Sequence, residues 1–467
     1  MKRLSAGDVD VLQSAAGVAH GHVAQLLVLD PGDRTFGLDE LRAWYGARLH
    51  RASAFRRRLV GVPLELHRPL WGDDPAFDLD NHVRSLRVDP GDRSGLEAAV
   101  GRLLGLPLDL ERPPWEAWLL EGLEGGRVAL LTKQHLAAVD DRAGDEMAVA
   151  VLDVDPEAPT DDAPAWTPDP WPSNSERMGE ALVSRLRQPT ALIEATRNLV
   201  RSRRPLAPLR VPPVFRDPLT EHRQVASTTF ALGPVKSVKD RHDVSVNDVV
   251  LAVCAGGLRR WLDERDAIPA DPLLALVPVS VAGDLDDPDS GNQVASVVSS
   301  LATDTRDPVL RIQVIQDATR EARRRRAIGA RQQRDWAQFA APAVLGQAGR
   351  VAVRTTAGAT PPPCNLIVAN IPGPTVPLYV AGAAVTDLYF FGPLAPGVPL
   401  DITVVSYGEQ MDVALSGCPD AAPDVRELVA HMEAALEELV DTVPAADRPA
   451  ESPIMSAGAP PSAQPRP

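Results

Sequence analysis

Residues 153–177 (DVDPEAPTDDAPAWTPDPWPSNSER) are what most restricts the fold, because they are dense in Pro, Asp and Ala and keep neither the 2.0 nor the 3.6 period. Repeated proline removes backbone donors and fixes φ, so neither a helix interior nor a central strand survives there. The segment therefore predicts a linker. With the helical pattern that follows at residues 178–199, it gives a linker and crossover helix over 153–205. A first domain then falls at 1–152 and a second at 206–442, ahead of a Pro/Ala/Ser-rich stretch, 443–467, that reads as a disordered tail. A chain of 467 residues suits such a division.

Both flanks alternate strand and helix patterns. Residues 23–30 (VAQLLVLD) and 128–132 (VALLT) are apolar runs of buried-strand length, and 38–49 places Leu41, Trp44 and Leu49 near helical spacing. Residues 140–152 read as a loop entering a helix, with Asp145 and Glu146 in its first turn. Beyond the linker, strands are expected at 225–232, 273–281, 294–301, 365–369, 400–405 and 412–415, and helices at 246–262, 308–326 and 424–439. Two halves of similar size suggest a duplicated α/β architecture.

The formal net charge of -15 excludes the extended basic surface that nucleic acid requires. Cys254, Cys364 and Cys418 are scattered, with no spacing for a thiolate zinc site or a disulfide framework. No apolar run reaches the roughly 20 residues of a membrane span, and the start carries no signal-peptide core. The expectation is a cytoplasmic protein, with peripheral membrane contact left open. No P-loop or G-x-G-x-x-G is present. His22, His82 and His242 form no tight cluster in the sequence.

Residues 107–144, PLDLERPPWEAWLLEGLEGGRVALLTKQHLAAVDDRAG, carry a motif. It resembles that of the wax ester synthase/diacylglycerol acyltransferase family, which reads PLD-x-x-RPLWE, a strand, then K-M-H-H-A-x-V-D-G-x-x-G. Five further matches keep family order. Gly21-His22-Val23 is similar to its M-H-V strand, Phe55-Arg56-Arg57-Arg58-Leu59 to F-R-x-R-L, and Ser245-Val246-Asn247-Asp248-Val249 to N-D-V. Val277-Pro278-Val279-Ser280 is similar to V-P-V-S, and Asn370-Ile371-Pro372-Gly373-Pro374 to N-V-P-G-P. The resemblance implies an α/β (α+β) fold of two chloramphenicol-acetyltransferase-like domains with an interdomain tunnel. It also implies acyl-CoA as co-substrate, a lipid alcohol or diacylglycerol as acceptor, and no bound cofactor.

In that family the second histidine of the motif removes the proton of the acceptor hydroxyl, a general-base step that contributes roughly 10²–10⁴-fold. Here Lys133 and His135 match, the second histidine is Leu136, and the glycine after Asp140 is Asp141. His135 and Asp140 are the remaining catalytic candidates. His135 also reads as a buried structural histidine, and Asp140 as a carboxylate holding its loop through an arginine. Successive side chains on a strand point to opposite faces, so His135 should face away from the position of Leu136. Asn247 and Asp248 read either as the family's interface pair or as a helix cap, and Trp115 and Glu116 as packing. The arginine-rich stretches 197–204 and 320–331 suit CoA phosphates or an anionic surface, or else a solvated helix face. The resemblance implies an O-acyltransferase, and the loss of the base raises the alternative of a non-catalytic homologue that binds acyl-CoA or lipid.

Overall fold

The computed structural model describes residues 2–4, 9, 12, 17–138, 147, 149–158, 163–187, 212–281, 293–327 and 364–455. The first half supplies β1 (His22–Asp30), β2 (Val83–Arg87), β3 (Trp115–Glu121) and β4 (Val128–His135). It also supplies α1 (Leu38–Arg48), α2 (Arg93–Leu104) and α3 (Asn174–Arg187). The second half opens with β5 (Gln224–Ala231), α4 (Leu232–His242) and α5 (Val246–Asp263). Then come β6 (Leu274–Val281), β7 (Gln293–Ser300) and α6 (Pro308–Ala327). Next are β8 (Leu366–Ile371), β9 (Tyr379–Val380), β10 (Ala383–Phe391), β11 (Leu400–Tyr407) and β12 (Gln410–Gly417). The chain closes with α7 (Val425–Asp441) and β13 (Ile454–Met455).

Among the described residues, two large sheets order as β9-β10-β1-β4-β3-β2 and β7-β6-β8-β11-β12-β5-β13, beside a small three-stranded sheet. β1 is buried on both faces apart from its last residue, which is why it reads as a continuous apolar run. Its even-numbered residues Ala24, Leu26 and Val28 join a core with α2. Its odd-numbered Val23, Leu27 and Leu29 join a second core, which also contains Leu276, Ile367, Ile371, Val405 and Tyr407 of the second half. The interdomain contact is thus a shared apolar core.

Two boundaries differ from expectation. Residues 379–391, expected within the second domain, belong to the first sheet, where β10 pairs antiparallel with β1 from Ala384↔Asp30 to Phe391↔Ala24. The returning strand covers what would otherwise be an open sheet edge. Residues 443–455, expected in a disordered tail, pack on the second domain, with Ile454 and Met455 paired to Phe230 and Thr229 of β5. The ladder satisfies their backbone groups, which composition alone does not reveal. The Pro-rich linker is strapped to the first domain, since Trp171 donates its indole N–H to the Asp73 carbonyl at 2.7 Å and Asp153 pairs with buried Arg48 at 2.9 Å.

Local chemistry accounts for the elements that frame the site. α5 starts with a capping box in which the Asp248 amide donates to Ser245 Oγ while Asp248 Oδ2 accepts from the Ser245 amide. The Asn370–Pro374 turn needs glycine, because a Cβ on Gly373 would lie 2.0 Å from the Ser406 carbonyl oxygen of β11. α2, which no sequence pattern disclosed, joins the halves. Its buried Glu97 accepts from the Ser227 amide of β5 at 2.8 Å and from Arg426 of α7 at 2.6 Å.

Candidate active site

β4 carries the motif on its last turn of pleat. It pairs with β1, opposing His135 to His22 and Gln134 to Val23, and with β3, opposing Gln134 to Trp115 and Lys133 to Glu116. Alternation sorts these side chains. Ala129 and Leu131 lie in the α2 core, so Lys133 and His135 share that face. Leu130 and Leu136 lie in the interdomain core, so Thr132 and Gln134 share theirs.

The α2 face is polar but enclosed. The Lys133 ammonium donates to the carbonyls of Leu103 at 3.0 Å and Leu106 at 2.8 Å, at the end of α2 where unpaired carbonyls favour a cation. It also lies 3.5 Å from Glu116 Oε2. Burial lowers its pKa and the Glu116 carboxylate works against that. His22 meets the Leu104 carbonyl at 3.0 Å and stacks on His20 at 5.7 Å between centroids. His20, His22 and His135 are therefore neighbours in space, while His82 stacks on Trp115 and His242 bonds Thr442 elsewhere. Burial, reinforced by Lys133, holds the His22 imidazole well below its usual pKa.

His135 is 3% exposed, and burial pushes its pKa down to about 4. Its Nδ1 accepts the Ala137 amide at 3.1 Å. A neutral imidazole has one lone pair on nitrogen for accepting a proton, and here the Ala137 amide occupies it, leaving the proton on Nε2. His135 thus stabilises the turn that leaves β4, a turn closed by the Ala138 amide on the His135 carbonyl at 2.9 Å.

Leu136 is fully buried in the interdomain core, its amide donating to the Gly21 carbonyl at 2.8 Å. Beside it on β3, Trp115 stacks on His82 at 4.6 Å and Tyr45 at 5.6 Å and donates its indole N–H to the Phe55 carbonyl at 2.8 Å. Trp115 is a packing residue, as expected, and Glu116 is the partner of Lys133. Asp140 and Asp141 lie outside the described residues. So do residues 197–204, the end of the second arginine-rich stretch from 328, and Asp145 and Glu146.

The profile for the wax ester synthase/diacylglycerol acyltransferase catalytic domain matches residues 4–250, and that for the WS/DGAT C-terminal domain matches 290–440. This chain belongs to that family. A Mycobacterium tuberculosis protein, whose name proposes diacylglycerol O-acyltransferase activity, is 34% identical over 458 residues, covering 94% of this chain and 90% of its own. The solved wax ester synthase/diacylglycerol acyltransferase of Marinobacter aquaeolei VT8 superposes with a TM-score of 0.70 at 25% identity, covering 95% of this chain and 100% of that one. The first condensation domain of the calcium-dependent antibiotic synthetase shares the fold alone, with a TM-score of 0.53 at 14% identity. The two-domain α/β architecture is that of the family.

The second family motif takes a structural part in this WS/DGAT chain. Asp248 is buried, accepts from Ser245 and from Thr319 Oγ1 of α6 at 2.9 Å, and so ties α5 to α6. Asn247 precedes it in the first turn of α5. None of these hydrogen bonds reaches β4. Two polar groups of the interdomain side escaped sequence reasoning. Gln134 is 7% exposed, and its Oε1 has no hydrogen-bond partner among the described residues. Its signal was a polar residue at the period-2 position before Leu136. Asp401 of β11 is fully buried, with Oδ2 accepting from the Gly392 amide at 3.0 Å and Thr403 Oγ1 at 2.9 Å. Burial pushes its pKa up to about 7. A carboxylate between a leucine and an isoleucine looks in sequence like any exposed strand position.

Proposed function

We propose that this protein acts in acyl-CoA-dependent O-acyl transfer to a lipid alcohol or diacylglycerol. In that reaction the acceptor oxygen forms a bond to the thioester carbonyl carbon, the C–S bond breaks, and CoA leaves as the thiol with the proton lost by the hydroxyl. The observation that carries the reading is the family match across both domains. The Lys133–Glu116 pair, the Trp115 stack and the His135 turn hold β4 at the interdomain core in its support.

At the base position this chain supplies a hydrocarbon. Leu136 accepts no proton, and the lone pair of His135 is engaged on the other face. Turnover then rests on holding thioester and hydroxyl in line, which contributes substantially without a base, and on water as the carrier of the hydroxyl's proton to the departing CoA sulfur. The expectation is slow transfer with ordinary substrate binding.

Leu136 also favours a second reading, in which the site binds acyl-CoA or lipid and transfers nothing. The test is to incubate purified protein with a series of acyl-CoAs and either diacylglycerol or long-chain alcohols, measuring free CoA thiol and ester. Ester formed in step with thiol supports transfer. Saturable acyl-CoA binding with no ester supports the binding role, and absence of both removes the two readings together.

A further inference from the structure

We propose that Gln134 is the residue that recognises the acceptor's hydroxyl, its side-chain oxygen accepting the O–H that Leu136 cannot. This rests on the acyl-transfer reading above and names the group that selects its alcohol.

Gln134 lies on the interdomain face of β4 two residues before Leu136, which opens the turn after the strand and joins the same apolar core. Its cross-strand neighbours on that face are Val23 and Trp115, both members of the interdomain apolar core. An amide oxygen in such surroundings normally finds a donor, since leaving it bare costs about as much as a lost hydrogen bond. Gln134 Oε1 finds none among the described residues, although the side chain is more than nine-tenths buried. The other polar group of this face on β4, Thr132, is engaged with the Tyr45 hydroxyl at 3.3 Å. Gln134 therefore leaves the one unmatched acceptor of β4's interdomain face within a substrate's reach of Leu136.

The ligand chemistry follows from that atom. A bare carbonyl oxygen in an apolar wall selects a molecule with a hydrocarbon body and a single O–H donor, which is a fatty alcohol or the free hydroxyl of a diglyceride. An amide oxygen is too weak a base to take the proton, so Gln134 orients the hydroxyl without activating it. In the motif this chain resembles, the same position holds methionine, so Gln134→Met is the natural variant.

The experiment is isothermal titration of the full chain with 1-decanol and with decyl methyl ether, which has the same hydrocarbon body and no O–H. Palmitoyl-CoA is titrated in parallel. Wild type should bind the alcohol roughly tenfold tighter than the ether, and in Gln134→Met the ratio should fall to about one, the scale of one hydrogen bond. The variant's melting temperature should hold or rise, because it removes an unmatched buried oxygen. A wild-type ratio of one overturns the proposal whatever the variant does, and so does a tenfold ratio that survives Gln134→Met. Failure of palmitoyl-CoA to bind wild type speaks against the acyl-transfer reading, while the alcohol-to-ether ratio still decides Gln134.

Discussion

The two faces of β4 differ in what they do with polarity. On the α2 side, the Lys133 ammonium and the Nδ1 of His135 are committed to backbone groups and to Glu116. On the interdomain side Leu136 is hydrocarbon and Gln134 presents an unmatched oxygen. Two positions adjacent in the motif have thus parted company, because neighbouring side chains on a strand diverge. The face that maintains the fold kept its histidine. On the other face Leu136 stands where the resembled motif has its second histidine.

The largest effect should come from restoring the base. Leu136→His, assayed as CoA release with alcohol or diacylglycerol, should raise turnover by up to about 10²–10⁴-fold with little change in acyl-CoA affinity. A folded variant with no gain would show that the interdomain side has diverged beyond this one residue. Next is Lys133→Met on the other face, which strands the Glu116 carboxylate and the α2 carbonyls. Removing one partner of a buried pair costs about 3–5 kcal/mol. Glu116 keeps Trp118 at 3.1 Å and Arg84 at 4.0 Å, so about 3 kcal/mol is expected in denaturant melts.

The pH dependence separates the faces further. The folded pKa of His135 is about 4 against an ordinary 6.5, so the unfolded chain binds its proton first. The stability linked to His135 is complete above 6.5 and is lost as pH falls through that window to about 4. For Asp401 the folded pKa is about 7 against 3.8, so its linked stability is complete below 3.8 and is lost as pH rises to about 7. The ceilings are about 3 kcal/mol for His135 and about 4 kcal/mol for Asp401. Comparing melts of His135→Gln and Asp401→Asn with wild type from pH 4 to 7 should therefore give difference curves of opposite slope. Equal slopes would mean that the two groups do not differ in this way. The smallest effect expected is that of Asp248→Ala, about 1–2 kcal/mol from the lost cap, with acyl-CoA binding unaltered.

Local patterns made several elements legible. The apolar run at residues 23–30 became β1, 128–132 became the first five residues of β4, and 246–262 became α5 to within one residue. The motif order of residues 107–144 identified the family. The divergence of His135 and Leu136 was also legible, since the side-chain period of a strand is two. α2 was not, because Arg93–Leu104 mixes glycine and charge and its apolar face is matched only by partners from both sheets.

The sequence by itself determined that Leu136 stands where the resembled motif has its second histidine, and no fold can give a hydrocarbon a lone pair. Only the tertiary structure decided that His135 cannot stand in, because its Nδ1 faces the Ala137 amide two residues on. Only it brought residues 383–391 back across the chain to close the first sheet, and laid Gln134 bare in an apolar wall. The last two outcomes depend on pairings between segments far apart in the chain, where the free energy lies in the partner and no local period records it, whereas the His135 contact is local to its turn.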